Sequence, residues 1–366
     1  MDSVPDTVEL SSPAGAAGRG GSTLGLYVWR ELRLLVYIGA LSLGLAIVVR
    51  YVLDYPIPLT RITVPDRMLK VLRYALVLGM VMAGLALVRQ RRTLARGSGS
   101  SSADARPWRA ALGALQRDEL TARLVLAGAT CVLMAVLLSV FAIWKASIPY
   151  LSPWHWDVTL VGIERALHGG QVPQDLTRRW LGRDATIFLD RLYYLWFRLL
   201  ALFVVWQSFR RPSASRTRTL LAMVLAYVLL GNLAAVLLSS GGPVYYDRLI
   251  SGPSPYAAQT AYLATIPGLH AVEIQHLIWQ WLLTDHYIPF GSISAMPSMH
   301  VAVATIMALA CWERDRRLGL VAWAYALLIL VGSVHLNWHY AVDGYVAILG
   351  TIAVWRISAW LVGRYA

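Results

Sequence analysis

Apolar residues in this chain gather in blocks about twenty long, with polar positions confined to the connections, instead of recurring as stripes at helical spacing. A block of that length crosses the roughly 30 Å hydrocarbon layer as a single helix. Such blocks fall near residues 32–53, 70–88, 120–144, 187–209, 217–239, 297–312, 318–338 and 341–362. The pattern predicts an all-α fold, a polytopic membrane helix bundle of about eight transmembrane helices. The sixth block is short. It follows Pro297, a residue suited to a first helical turn, and extends through Ser298 and His300 if these face a protein interior.

Composition agrees with that pattern: of 366 residues, 57% are hydrophobic and only 14% charged, which excludes an ordinary soluble domain. The net charge of +13 raises the question of a nucleic-acid partner. The basic residues answer it, because they sit between apolar blocks. Segment 89–123 carries Arg89, Arg91, Arg92, Arg96, Arg106, Arg109, Arg117 and Arg123; the next even connection has Arg210, Arg211, Arg216 and Arg218; the next has Arg314, Arg316 and Arg317. Cytoplasmic loops collect arginine in this way, so membrane topology accounts for the charge and no nucleic acid is called for. Both termini are then expected in the cytoplasm. The first outer loop runs against this, with Arg50, Arg61, Arg67 and Lys70, but the long loop 240–296 holds Arg248 as its sole basic residue.

Residues 1–25 are rich in Ser, Gly, Pro and Ala, lack the build of a signal peptide and read as a disordered cytoplasmic tail. Residues 26–96 read as an N-terminal two-helix hairpin, 97–118 as a cytoplasmic linker and 119–366 as a six-helix catalytic domain. Residues 150–186 suit short amphipathic helices at the outer interface, with Trp154, Trp156 and Trp180 as headgroup-level anchors. Cys131 and Cys311 lie in different apolar blocks and read as packing residues.

Two stretches carry chemistry. Ile293-Ser294-Ala295-Met296-Pro297-Ser298-Met299-His300 opens the sixth block and gathers backbone N–H groups, a hydroxyl and a titratable ring at a helix start, a natural phosphate site. The bland alternative is a helix start with an interfacial histidine. Ser333-Val334-His335-Leu336-Asn337-Trp338-His339-Tyr340-Ala341-Val342-Asp343-Gly344 lies at the turn between the last two blocks. If helical, it sets Asp343 one turn from His339, where the carboxylate bonds one ring nitrogen and leaves the other free for attack. A polar pair capping a helix is the alternative there.

Together these stretches resemble the type 2 phosphatidic acid phosphatase superfamily, whose usual signatures are K-x6-R-P, P-S-G-H and S-R-x5-H-x3-D. Pro297-Ser298-Met299-His300 matches the second with Met299 for glycine, and His339 with Asp343 matches the H-x3-D of the third. M-P-S-M-H followed by W-H-Y-A-V-D-G looks most like the branch of inositol phosphorylceramide synthases and their bacterial relatives.

The resemblance implies that His339 attacks phosphorus and forms a phosphohistidine, that Asp343 orients it, and that His300 protonates the leaving oxygen and later activates water or an alcohol. Ser298 would hold phosphate oxygens. Where the third signature has arginine this chain has Ser333, and a complete K-x6-R-P is absent. Some cation must still neutralise the phosphate. Arg248, Arg198 and Arg191 are the candidates, with Arg198 expected to face the bundle and to pair otherwise with Asp190 or Glu164, and His335 a further substrate contact or a packing residue.

The expected reaction is head-group transfer on a lipid phosphate ester, with hydrolysis of a phosphatidate or polyprenyl phosphate as the alternative. The partners are that lipid, a water or polar alcohol acceptor and the surrounding membrane lipids; no cofactor is implied. A metal site built from His335, His339, Asp343 and His300 is a weaker reading, because the Pro-Ser-His element has no part in it. A non-catalytic lipid-binding or carrier protein is the alternative from a different class.

Overall fold

A computed structural model describes residues 20–51, 118–283 and 293–365. The block at 70–88 and the linker at 97–118, but for its last residue, lie outside the described residues, as does most of the N-terminal tail.

Among the described residues the fold is helical throughout, without strands. Helix α1 spans Gly20–Tyr51, α2 Asp118–Leu151, α3 Asp157–Leu167, α4 Pro173–Trp180 and α5 Arg183–Phe209. Helix α6 starts at Ala214–Leu225, widens into a π-helix over Ala226–Ala234 and closes with Ala235–Leu237. A short turn of helix at Pro243–Leu249 leads to α7 at Ala257–Ala264 and α8 at His270–Leu283. Then come α9 at Met299–Arg314, α10 at Arg316–His335 and α11 at Ala341–Tyr365.

Five of these are long and apolar enough to cross a membrane: α1, α2, α6, α10 and α11. Two of the expected spans fall outside that group for definite reasons. Helix α5 has the length but carries Asp184, Asp190, Arg191 and Arg198, and α9 has only 16 residues. Both are nonetheless built into the bundle. Val301, Ala302, Val303, Ala304 and Ile306 of α9 are fully buried, so this short helix is the axis around which the others stand. It packs on α10, on α11 and on α6, while α5 closes the group against α2 and α10. Small residues on α9 permit the close approach that takes the place of a hydrophobic driving force within lipid.

Helix α1 packs on α2 and α6, Trp144 Nε1 donates to the Ser42 carbonyl at 3.1 Å, and Glu31 lies 3.9 Å from Arg216. Arg216, read from sequence as a loop charge, is wholly buried: its guanidinium donates to the carbonyls of Gln207 and Ser208 and to Thr130 Oγ1. A buried guanidinium with this many acceptors ties α1, α2, α5 and α6 together at one end of the bundle.

At that same end Arg218 of α6 pairs with Glu313 of α9, so the arginine-rich turns α5–α6 and α9–α10 are neighbours. The opposite end is capped by α3, α4, α7 and α8. Here two of the three expected tryptophan anchors are engaged with protein: Trp154 Nε1 donates to the Ile293 carbonyl and Trp156 Nε1 to that of Leu237. Unpaired helix-end carbonyls attract an indole N–H more strongly than an interface does. Trp180, 85% exposed, keeps the outward position.

Candidate active site

The site forms at the capped end, where α9 begins and the turn between α10 and α11 passes beside it. Ser298 is the N-cap of α9, and Pro297 precedes it by one residue instead of occupying the first turn. The Ser298 side chain does not cap the helix; its backbone N–H donates to the Asp343 carbonyl at 3.2 Å, which locks the start of α9 to the start of α11.

His339 is not on a helix. Helix α10 stops at His335, Asn337 takes a left-handed φ of 64°, and α11 begins at Ala341. The chain turns because the Ser333 carbonyl accepts from the N–H groups of both Trp338 and His339. The pairing expected from the spacing of four still forms, with His339 Nδ1 3.2 Å from Asp343 Oδ2. The same oxygen accepts the Tyr340 N–H at 3.0 Å, so Asp343 reaches back over the first turn of α11 as an acid at that position does. Helix capping and histidine orientation, posed as alternatives from sequence, are both done by this one side chain.

The turn also explains why a line of metal ligands at positions 335, 339 and 343 does not arise. His335 closes α10 and its Nε2 is bonded to Thr186 Oγ1 at 2.8 Å, away from the face that holds His339. Among the described residues no group of three His, Cys, Asp or Glu side chains is arranged around a common metal position.

The ring of His300 stacks on Tyr193, with centroids 4.6 Å apart, and lies against Trp196, whose Nε1 donates to the His300 carbonyl. An aromatic wall from α5 thus sets the ring's direction. His300, His339 and Lys145 sit close enough for their charges to act on one another. Burial, with a smaller contribution from the Lys145 charge, holds His339 far below the usual imidazole range, at about 3, opposed by the interaction of its ring with the Ala295 backbone carbonyl. The ring is therefore neutral near pH 7, and with Nδ1 donating to Asp343 its Nε2 keeps a lone pair.

Three buried polar atoms around this point have no protein hydrogen-bond partner: Ser298 Oγ, His300 Nε2 and Asp343 Oδ1. Buried polar atoms are normally paired, so a cluster of orphans marks a place for a polar ligand.

Of the cations expected to serve that ligand, none is at the rings. Arg248 is exposed and lies over the Trp279 ring, 4.7 Å from its centroid. Arg191 and Arg198 are exposed on α5. Arg198 does not face the bundle, and the carboxylates suggested for it are already taken. Asp190 accepts from His270 Nδ1 and from the N–H groups of His270 and Ala271, and Glu164 accepts from Tyr256 and Ala341. An arginine on a helix flank with no buried acid left to meet it turns outward.

The cation at the rings is Lys145 on α2, a residue the sequence reading passed over. Among the described residues it has no carboxylate partner. A signal was present: Lys145 is followed at the right interval by Ser152-Pro153, so the chain carries K-x6-S-P where the signature reads K-x6-R-P.

Comparison with protein-family profiles matches residues 158–357 to the PAP2 superfamily. The chain belongs to that superfamily. The matched region runs from α3 into α11 and contains Ser298, His300, His339 and Asp343, while Lys145 lies just before it. No curated protein and no solved structure matches at the threshold applied. As a PAP2 superfamily member the chain is assigned, at the level of class, to phosphatase or phosphotransferase chemistry on lipid phosphates.

Proposed function

We propose that this PAP2 protein transfers a phosphoryl-linked group of a lipid phosphate ester through a covalent phosphohistidine at His339. The observation that carries the reading is the convergence of a neutral, Asp343-held imidazole with three orphaned polar atoms and one lysine. In the forward step His339 Nε2 attacks phosphorus. The P–N bond forms as the P–O bond to the leaving group breaks, and protonated His300 delivers its proton to that oxygen. Neutral His300 then takes a proton from the acceptor hydroxyl, whose oxygen attacks phosphorus and releases His339. Lys145, Ser298 Oγ and the free N–H groups opening α9 hold the equatorial oxygens, and Asp343 stabilises the charge on the His339 ring as the bond forms.

The acceptor is an alcohol in the preferred reading. It is supported by the motif pair M-P-S-M-H and W-H-Y-A-V-D-G, the form seen in inositol phosphorylceramide synthases. The position of the arginine-rich turns at the other end of the bundle supports an active site facing away from the cytoplasm.

The test uses the purified chain in mixed micelles with phosphatidate or phosphatidylinositol labelled at phosphorus. Transfer predicts label in a new lipid or polar ester; release of free phosphate alone would replace transfer with hydrolysis. An acid-labile labelled protein should appear in the wild type and be absent from His339→Ala. Undiminished turnover in that variant would sink the covalent mechanism, and with it the preference for an enzyme over a lipid carrier.

A further inference from the structure

We infer that Asp157 and Glu164, two acids of α3 outside the family signatures, are positioning residues that hold the His339 turn in its reactive geometry. This inference rests on the phosphohistidine reading above and adds the elements that aim the nucleophile.

Both carboxylates are completely buried at the capped end of the bundle. Asp157 accepts from the N–H groups of Gly241 and Gly242, at 2.9 Å and 3.0 Å, and from the Tyr340 hydroxyl at 2.6 Å. Glu164, two turns further along α3, accepts from the Ala341 N–H and from the Tyr256 hydroxyl, the latter at 2.9 Å. Residues 340 and 341 directly follow the nucleophile. One acid thus holds the side chain of the first and the other the backbone of the second, while Asp343 holds the N–H of Tyr340 and the ring of His339. Gln174 on α4 adds a fourth hold by donating to the His339 carbonyl at 3.2 Å.

The Gly241–Gly242 segment passes the same restraint to the other half of the site. Gly242 has a φ of 87°, and a Cβ there would stand 2.9 Å from the Trp338 carbonyl oxygen and 3.0 Å from Ala295 Cβ. Next to it Ser240 accepts from the N–H groups of Ala295 and Met296, which lead into Ser298 and His300. Asp157 therefore grips one loop that touches both catalytic stretches. Two fully buried acids with this many donors are costly to retain in a core. Their bonds converge on the two residues after His339, and misplacing a nucleophile by about 1 Å costs on the order of a hundredfold in rate.

The experiment uses the full chain in detergent and orthovanadate, which adopts the five-coordinate shape of a phosphoryl group in flight, with binding followed by calorimetry. Wild type binds, and His339→Ala does not. Tyr340→Phe, which removes only the hydroxyl bond to Asp157, and Glu164→Leu each weaken binding about tenfold or more. Glu164→Gln keeps an oxygen for the Ala341 N–H and recovers most of what Glu164→Leu loses. A merely space-filling role would not produce that recovery, since leucine and glutamine fill similar volumes. Circular dichroism and a monodisperse elution profile confirm that each variant is folded, and Tyr340→Phe carries the test alone if Glu164→Leu is not. Wild-type affinity in Tyr340→Phe, with binding abolished in His339→Ala, overturns the positioning role while leaving the nucleophile in place. Unaltered binding in His339→Ala, or none in the wild type, overturns the underlying reading instead.

Discussion

At the scale of single residues the site is defined by what is left unpaired. Ser298 Oγ, His300 Nε2 and Asp343 Oδ1 are buried without protein partners, and what sets them apart from other unpaired buried atoms of the bundle is that all three belong to the two stretches that meet at the start of α9. Among the described residues, Lys145 supplies the one basic side chain whose charge acts on both rings. In a site of low polarity, charge aimed at developing phosphate oxygens is the largest single contribution to rate. Lys145→Met should therefore lower kcat by about a hundredfold or more, with a smaller change in KM, in the labelled-lipid assay. Lys145→Arg should restore part of it, because charge is kept while the reach differs. Equal kcat in Lys145→Met and wild type would show that the phosphate is neutralised elsewhere, and Arg248, exposed over Trp279, would be the next position to replace.

At the scale of elements, α3 is the part whose chemistry departs most from its surroundings. Burial raises the Glu164 carboxyl to about 7, partly opposed by its bonds from Ala341 and Tyr256, with Asp343 raising it further and His168 lowering it. The Tyr256 hydroxyl, which donates to this carboxylate, is a titratable group that feels its charge. A carboxyl whose folded pKa lies above its unfolded value favours the folded state while protonated. That stability is complete below about 4.5, the ordinary value for a glutamate, and is lost as pH rises through about 7. Thermal unfolding of the wild type in detergent should accordingly shift to lower temperature between pH 5 and 8, on the order of that pKa window. Glu164→Gln should flatten the shift, and an identical slope in wild type and variant would remove Glu164 as its source. The π-helical stretch of α6 is the other irregular element. Its Gly231 leaves room for Met299 and Phe141, where a Cβ would come within 2.6 Å of Phe141, so the residue replacing the signature glycine has its space provided from α6.

For the whole molecule, the two ends of the bundle differ in kind. One gathers arginines: Arg216 buried among α1, α2, α5 and α6, and Arg218 paired with Glu313. The other gathers buried acids and the histidines. On the proposed topology, with arginine retained on the cytoplasmic side, the histidine end faces outside. Cys131 and Cys311 are buried, so introduced cysteines report cleanly. Ser251→Cys, in the exposed loop at the histidine end, should react with a membrane-impermeant maleimide on intact cells. Arg317→Cys, in the first turn of α10 at the arginine end, should react only after permeabilisation. The reverse pattern would invert the topology.

The linear pattern determined the helical membrane class and the order of most spans, and it singled out His300, His339, Asp343 and Ser298 as candidates, because block length and motif spacing are local properties of the chain. It also suggested His335 and His339 on one helical face, Arg198 inside the bundle and free tryptophan anchors at 154 and 156. The structure differs at each for its own reason: the Ser333 carbonyl, five and six residues back, bends the chain before His339, Arg198 is exposed on α5, and carbonyls of the distant Ile293 and Leu237 accept from the two indoles. The clasp of α3 on Tyr340 and Ala341 belongs to the tertiary structure alone, and so does the placing of Lys145 beside the rings, which its K-x6-S-P context marks only as a motif lysine. Lys145 lies nearly two hundred residues from His339, and Asp157 183 residues from the Tyr340 hydroxyl it binds. No periodicity reports an approach between segments so far apart; only the packed bundle brings a cation and two carboxylates to a turn whose own sequence names none of them.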